Sequence, residues 1–374
     1  MRQKRSLHGN VRQIGIHSMP QVPQGRKRGR EMSYTIGSLF TGYGGLDIGV
    51  AEALNEESKV LWCSDVAPGP RKVLPVREPD APNLGDITQI NWCEIEPVDV
   101  LVGGSPCQDL SLAGRRAGMH PGTRSGLWES MLGAINILRP HLIVWENVYG
   151  ALSASAFSLL ESSEGHLGVH GGGPAIRALG RVLGDLASYG YDAWWTIVRA
   201  SDVGAPHRRA RLFLAASDSN REPWYQRWQP MPSKTSRGRK LTESSGRSGK
   251  ELRLLPTPTS SQMDGRKSPG FSGSGSFYDI VHGGRPGIIP YIRGIVRWEK
   301  AFREAPYLTD DNGRLSTSFV EWMMGLPEEW VTAPELGLSR REQLQILGNG
   351  VVPQQATYAI RILAEIAEAV KEGE

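Results

Sequence analysis

With 374 residues, 43 Lys and Arg against 39 Asp and Glu and a formal charge of +4, the chain suits one large domain or two ordinary ones around a substantial core. Its three cysteines, Cys63, Cys93 and Cys107, are too few and too scattered for a disulfide framework or a structural zinc site. No apolar run approaches the roughly 18 residues of a membrane crossing, and the first residues lack the apolar core of a secretion signal. These features predict a reduced, cytoplasmic, metal-free protein without a membrane partner.

Residues 1–33 lack apolar periodicity, and Met1 to Arg30 holds eight Lys and Arg with no acidic residue, a balance that suits a polyanion. They read as a basic, disordered tail, with Met32 an alternative start. Strand-like runs follow at Tyr34–Phe40, Val60–Ser64, Val98–Val102, Leu142–Trp145, Trp194–Val198 and Arg211–Ala215, with helical patterns at Gly45–Leu54, Leu127–Leu138 and Ala175–Tyr189 between them. This alternation predicts an α/β fold with a parallel, doubly wound sheet whose ligands lie at the carboxyl ends of its strands. Near Ser217 the pattern stops, and the chain becomes rich in Ser, Gly, Arg and Pro; Arg221 to Arg253 holds nine basic residues against three acidic ones. A helical pattern returns after Phe319, and Pro353–Val370 reads as a closing amphipathic helix. The expected division is a catalytic domain over 34–216, completed by 345–374, with a smaller, irregular domain over 217–344.

Three stretches at the predicted ligand edge carry chemistry. Phe40-Thr41-Gly42-Tyr43-Gly44-Gly45 is a glycine turn from strand to helix that lets a nucleoside approach the backbone. It departs from a dinucleotide fingerprint because Asp47 stands where the third glycine belongs. Asp65, ending the next strand, suits the two ribose hydroxyls, and Asp86 suits an adenine amino group. Together they favour an adenosyl group without a diphosphate, such as S-adenosylmethionine. Gly103-Gly104-Ser105-Pro106-Cys107 sets a lone cysteine in a Gly/Pro loop, and Glu146 ends the strand from Leu142. Before the last strand stands His207-Arg208-Arg209-Ala210-Arg211, with Arg209 and Arg211 on one side if extended. A thiolate, a carboxyl group, a guanidinium and an adenosyl site together solve one problem: carbon 5 of cytosine becomes nucleophilic once a thiolate adds at carbon 6.

These stretches resemble the motifs of the cytosine-5 DNA methyltransferase family. Phe40 to Gly45 matches its FxGxGG motif, Ser105 to Gln108 its nucleophile motif, Glu146-Asn147-Val148 its ENV motif, and Gly348-Asn349-Gly350-Val351-Val352-Pro353 its closing GN-x-V motif. His207 to Arg211 is similar to its QxRxR motif, with His in the place of Gln. The resemblance implies a Rossmann-like methyltransferase sheet and S-adenosyl-L-methionine as methyl donor. It implies Cys107 as nucleophile, Glu146 as the acid at ring nitrogen 3, and the arginine pair Arg209 and Arg211 with Arg211 on the cytosine oxygen. For the cofactor it implies Phe40, Gly42, Gly44, Gly45, Asp65 and Asp86 around the adenosyl group, with Asn349 and Val351 near the methionine portion. Leu110 to Ser125 would be a mobile loop closing on a flipped base, and 217–344 a target recognition domain. Duplex DNA is the implied partner, with a cognate restriction endonuclease and a monomeric enzyme as further expectations. An RNA substrate and a catalytically inactive DNA-binding regulator are the alternatives. Phe319 to Pro327 resembles the family's penultimate motif without its helix arginine.

Overall fold

The computed structural model describes residues 34–54, 58–105, 127–149, 155–156, 176–227, 253–259, 280 and 288–372. Ser33–Glu374 forms one compact unit. Its centre is a six-stranded sheet in the order β2-β1-β3-β4-β8-β7, made of β1 (Tyr34–Leu39), β2 (Ser58–Ser64), β3 (Val100–Gly103), β4 (Leu142–Val148), β7 (Tyr191–Arg199) and β8 (Ala210–Asp218). Two short strands, β5 (Ser155–Ala156) and β6 (Ile176–Arg177), pair with each other.

Strands β1 to β4 are parallel, but β8 runs antiparallel to both β4 and β7. The all-parallel expectation therefore fails at β8, for a reason of length. Parallel return needs a crossover of about a dozen residues or more, and between Arg199 and Ala210 there is room only for the 3-10 turn Ala200–Val203 and a short extended stretch.

Helices α1 (Gly45–Leu54) and α3 (Leu127–Leu138) stand where the apolar period predicts them, and α4 (Ala178–Ser188) is slightly shorter than expected. Helix α2 (Pro70–Arg77) was not foreseen, because Pro75 lies inside it and its buried residues reduce to Pro70, Val73 and Leu74. After β8 come the single turn α5 (Trp224–Arg227), then α6 (Ile292–Ala301), α7 (Thr317–Met323), α8 (Arg340–Asn349) and α9 (Pro353–Glu372).

Successive strand residues bury opposite faces. In β3, Leu101 joins Trp128, Ile135 and Leu186 of α3 and α4, whereas Val100 and Val102 join Val50 of α1 and Ile360 and Leu363 of α9. A third cluster gathers Trp298, Phe319, Trp322 and Leu347 from α6, α7 and α8 and reaches back to Tyr43 and Val73. Within α7, Glu321 is fully buried, and its carboxylate accepts from the Glu329, Val331 and Thr332 amides. A carboxylate therefore organises this helix, where the family resemblance led one to look for an arginine.

Candidate active site

The parallel strands bring their carboxyl ends to one edge of the sheet, and the reversed β8 brings its amino end to the same edge. After β1 the chain turns through Phe40, Gly42 and Gly44, with φ of 55°, 61° and 82°. Glycine enters this region freely, while Phe40 pays in strain, a feature that gathers at ligand sites. Asp65, just past β2, closes the turn: its Oδ2 accepts from the Gly42 amide at 2.9 Å and its Oδ1 from the Ala67 amide at 2.8 Å. Burial pushes the Asp65 carboxyl up, and these two amides pull it back.

Asn83, which the sequence did not single out, joins this turn to the next. Its Oδ1 accepts from the Asp65 and Gly85 amides at 3.0 Å each, and its Nδ2 donates to the Asp65 carbonyl at 3.1 Å. The stitching brings Asp65 and Asp86 into one cleft of about 390 Å³, lined also by Val66, Arg71, Asn83 and Gly85. Asp86 uses Oδ1 to accept from the Thr88 amide at 3.0 Å and is itself exposed. Val66 is 59% exposed beside it, an open apolar surface for a flat ring. The volume lies within the range of small-ligand clefts, and two carboxylates, a glycine turn and an open apolar side chain fit an adenosyl group.

The closing motif meets the same turn from the other side. The Tyr43 hydroxyl donates to the Val351 carbonyl at 2.7 Å. A Cβ on Gly350 would lie 1.9 Å from the Tyr43 ring, and one on Gly45 would lie 2.3 Å from the Val351 oxygen. These two glycines allow a close approach that no larger residue permits. Asn349 is exposed at the end of α8, and Val351 is buried against the α1 and α9 side of the sheet.

Glu146 and Arg211 come together where β4 and β8 run side by side, with Arg211 Nε 2.9 Å from Glu146 Oε1. Arg211 reaches this edge only because β8 is antiparallel. Burial pushes the Glu146 carboxyl up, and the positive charges of Arg211 and Arg209 draw it down. Its other oxygen faces the chain leaving β3, since a Cβ on Gly104 would stand 3.1 Å from Glu146 Oε2. Trp145 Nε1 donates to Ser105 Oγ at 3.0 Å, fixing the stem of the cysteine loop beside the carboxyl group. Cys107 itself, two residues further, lies outside the described residues, as does the stretch Leu110 to Ser125.

Arg209 behaves differently from Arg211. It is 2% exposed with φ of 32°, so the stretch is not extended there. Its Nη1 donates to the Pro258 carbonyl at 2.8 Å, and its Nη2 to the Gly348 and Gly350 carbonyls. His207 is fully buried, with Nε2 3.0 Å from the Met323 carbonyl. That carbonyl only accepts, so Nε2 carries a proton. Burial and the neighbouring Arg209 charge bring its pKa down to about 3.

The fold and the edge define a Rossmann-like methyltransferase. The Dnmt2 methyltransferase of S. pombe superposes with a TM-score of 0.53 at 15% identity, covering 89% of this chain and 99% of that one. The family model for C-5 cytosine-specific DNA methylases matches residues 34–365, and the chain belongs to that family. Among curated relatives, the Type II methyltransferase M.NlaIV of Neisseria lactamica is 30% identical over 186 residues, 48% of this chain and 40% of its own length. The DNA N-6-adenine-methyltransferase of Escherichia phage P1 is 32% identical over 195 residues, 42% of this chain and 25% of its own length. The chain thus spans less than half the length of either relative. Among the described residues, no helix is long and apolar enough to cross a membrane, and no cluster of side chains is suited to a metal ion.

Proposed function

We propose that this chain methylates carbon 5 of cytosine in a specific duplex DNA sequence, with S-adenosylmethionine as donor. The observation that carries the reading is the pairing of buried Glu146 with half-buried Arg211, 2.9 Å apart, facing the stem of the Cys107 loop. When bound, the cofactor supplies an electrophilic methyl group on sulfur. Phe40, Gly42, Gly44, Gly45, Asp65 and Asp86 would hold its adenosyl part, and Asn349 and Val351 its methionine end.

The target base must leave the duplex to reach this edge, at a cost of a few kcal/mol. Cys107 then adds through sulfur to carbon 6. Glu146 delivers a proton to ring nitrogen 3, which needs a carboxyl group held above its ordinary range by burial. Arg211 donates to the exocyclic oxygen and stabilises the charge that gathers there. Carbon 5 takes the methyl group, leaving the donor sulfur as a neutral thioether; the carbon 5 proton leaves to solvent, the sulfur–carbon 6 bond breaks to return the thiolate, and nitrogen 3 hands its proton back to Glu146. Adenine does not call for this apparatus, because its amino nitrogen attacks a methyl group without prior addition to the ring, so the geometry favours cytosine over the adenine named for the phage relative.

Residues 217–344 would read the target, with basic side chains on phosphates and others on base edges. The Type II relative suggests a cognate endonuclease as partner, and one flipped base per enzyme suits a monomer. The test is bisulfite sequencing of DNA from cells expressing this chain beside the Cys107→Ala variant. Protected cytosines in one short context that vanish in the variant are expected. Protection absent from DNA but present in cellular RNA would move the activity to RNA, and a soluble, cofactor-binding protein with neither would make the chain a regulator.

A further inference from the structure

Arg209 is where three stretches distant in sequence meet. One is the segment Leu255 to Pro258: the Leu255 amide donates to the Pro206 carbonyl at 2.7 Å, the Arg209 amide to Thr257 Oγ1 at 3.2 Å, and Arg209 Nη1 to the Pro258 carbonyl at 2.8 Å. The second is the closing loop, whose Gly348 and Gly350 carbonyls both accept from Nη2. The third is the helix α9, where Gln355 Nε2 donates to the carbonyls of Arg209 at 2.8 Å and Val198 at 2.7 Å. Two residues on, Arg211 meets Glu146.

We infer that Arg209 is a positioning residue that holds the methionine end of the cofactor cleft and the Leu255–Pro258 segment in fixed relation to the Glu146–Arg211 pair. The inference rests on the function proposed above. At 2% exposure, with both Nη atoms bonded to backbone carbonyls, the guanidinium has no face to offer a base. Its left-handed backbone is a conformation that persists only where the surroundings over-determine it. From Gly350 the contact continues to the Tyr43 ring, and from Tyr43 to the Val351 carbonyl, so the path ends in the glycine turn of the cofactor cleft. In the other direction it runs into the part of the chain expected to read DNA. Loosening Arg209 should therefore disturb the cofactor before any DNA is present, which a residue contacting only the flipped base would not do.

Two variants of the full chain test this, with S-adenosylhomocysteine titrated calorimetrically in the absence of DNA and steady-state methylation measured on a duplex oligonucleotide. Arg209→Lys keeps the charge, but a single ammonium cannot serve carbonyls that a planar fork reaches together. It should weaken S-adenosylhomocysteine about tenfold or more, the scale of losing one charge-assisted hydrogen bond, lower kcat further, and leave the melting temperature within a few degrees. Thr257→Val removes only the acceptor for the Arg209 amide; it should raise the KM for DNA about threefold to tenfold with S-adenosylhomocysteine affinity unchanged. A fall in kcat alone in Arg209→Lys, with S-adenosylhomocysteine binding intact, would make Arg209 a contact to the base and overturn the inference. So would a Thr257→Val variant whose KM for DNA equals that of the wild type. A wild-type chain that binds no S-adenosylhomocysteine overturns the proposed function itself, whereas one that binds and methylates while Arg209→Lys behaves identically overturns the inference alone.

Discussion

Glu146 at the end of β4 and Asp47 in the first turn of α1 are both buried carboxylates, and they carry different consequences. Glu146 is raised by burial and drawn down by Arg211 and Arg209, a balance suited to handing over a proton. Glu146→Gln should lower kcat about 10²- to 10⁴-fold, the range of general acid catalysis, while S-adenosylhomocysteine affinity stays within twofold by calorimetry. Asp47 is 4% exposed, and its Oδ1 has no hydrogen-bond partner among the described residues. Burial raises its pKa to about 7, opposed by a hydrogen bond from Ser38 and aided by the charge of Glu78. Between the unfolded value near 4 and the folded value, the unfolded chain has lost its proton and the folded chain has kept it, so stability falls as pH rises. Above about 7 the penalty is complete, about 4 kcal/mol from the size of the shift. Asp47→Asn should therefore melt higher than the wild type at pH 8, and the gap should close toward pH 4. A gap that is constant across that range would remove Asp47 as its source.

Among the elements, the approach to β8 shows where sequence reading succeeds and where it stops. His207, in the place where the family resemblance supplies Gln, hydrogen-bonds to the last residue of α7 through a neutral ring. Its pKa is lowered, so below about 6.5 the unfolded chain takes up a proton that the folded chain refuses until about 3. Stability is present above 6.5 and is lost as pH falls through that window. His207→Gln should melt with a shallower pH dependence between 6.5 and 3; the same slope in both proteins would exclude His207 as the acid-sensitive group. The glycine turn, Glu146 and helices α1 and α3 were legible because local periodicity and chain punctuation fix them. The direction of β8 was open to a count of connecting residues, but alternation alone suggests parallel strands. Helix α2 was hidden by Pro75. Arg209 and Arg211 looked equivalent in an extended stretch, and the φ of 32° at Arg209 separates them. Asn83 and Tyr43 gave no signal, because their partners at Asp65 and Val351 stand 18 and 308 positions away.

At the scale of the molecule, Ser33–Glu374 is one compact unit, and residues 1–33 lie outside the described residues. The first 30 residues bring eight positive charges and no negative ones, a charge pattern that adds affinity for phosphates without adding sequence choice. A chain starting at Met32 should keep the melting temperature and the bisulfite context of the full chain, and its DNA affinity should fall less steeply with salt. An unchanged slope of log affinity against log salt would mean that the tail makes no phosphate contacts.

The last helix completes the first: Thr357 Oγ1 donates to the Gly49 carbonyl at 3.0 Å, across 308 positions, and a Cβ on Gly49 would stand 2.6 Å from that of Ala356. A growing polypeptide therefore exposes the glycine-notched side of α1 until α9 has been synthesised and freed. At ordinary elongation rates that interval is roughly 15 to 60 s, during which the nascent chain has α1 but not the helix that covers its notched side.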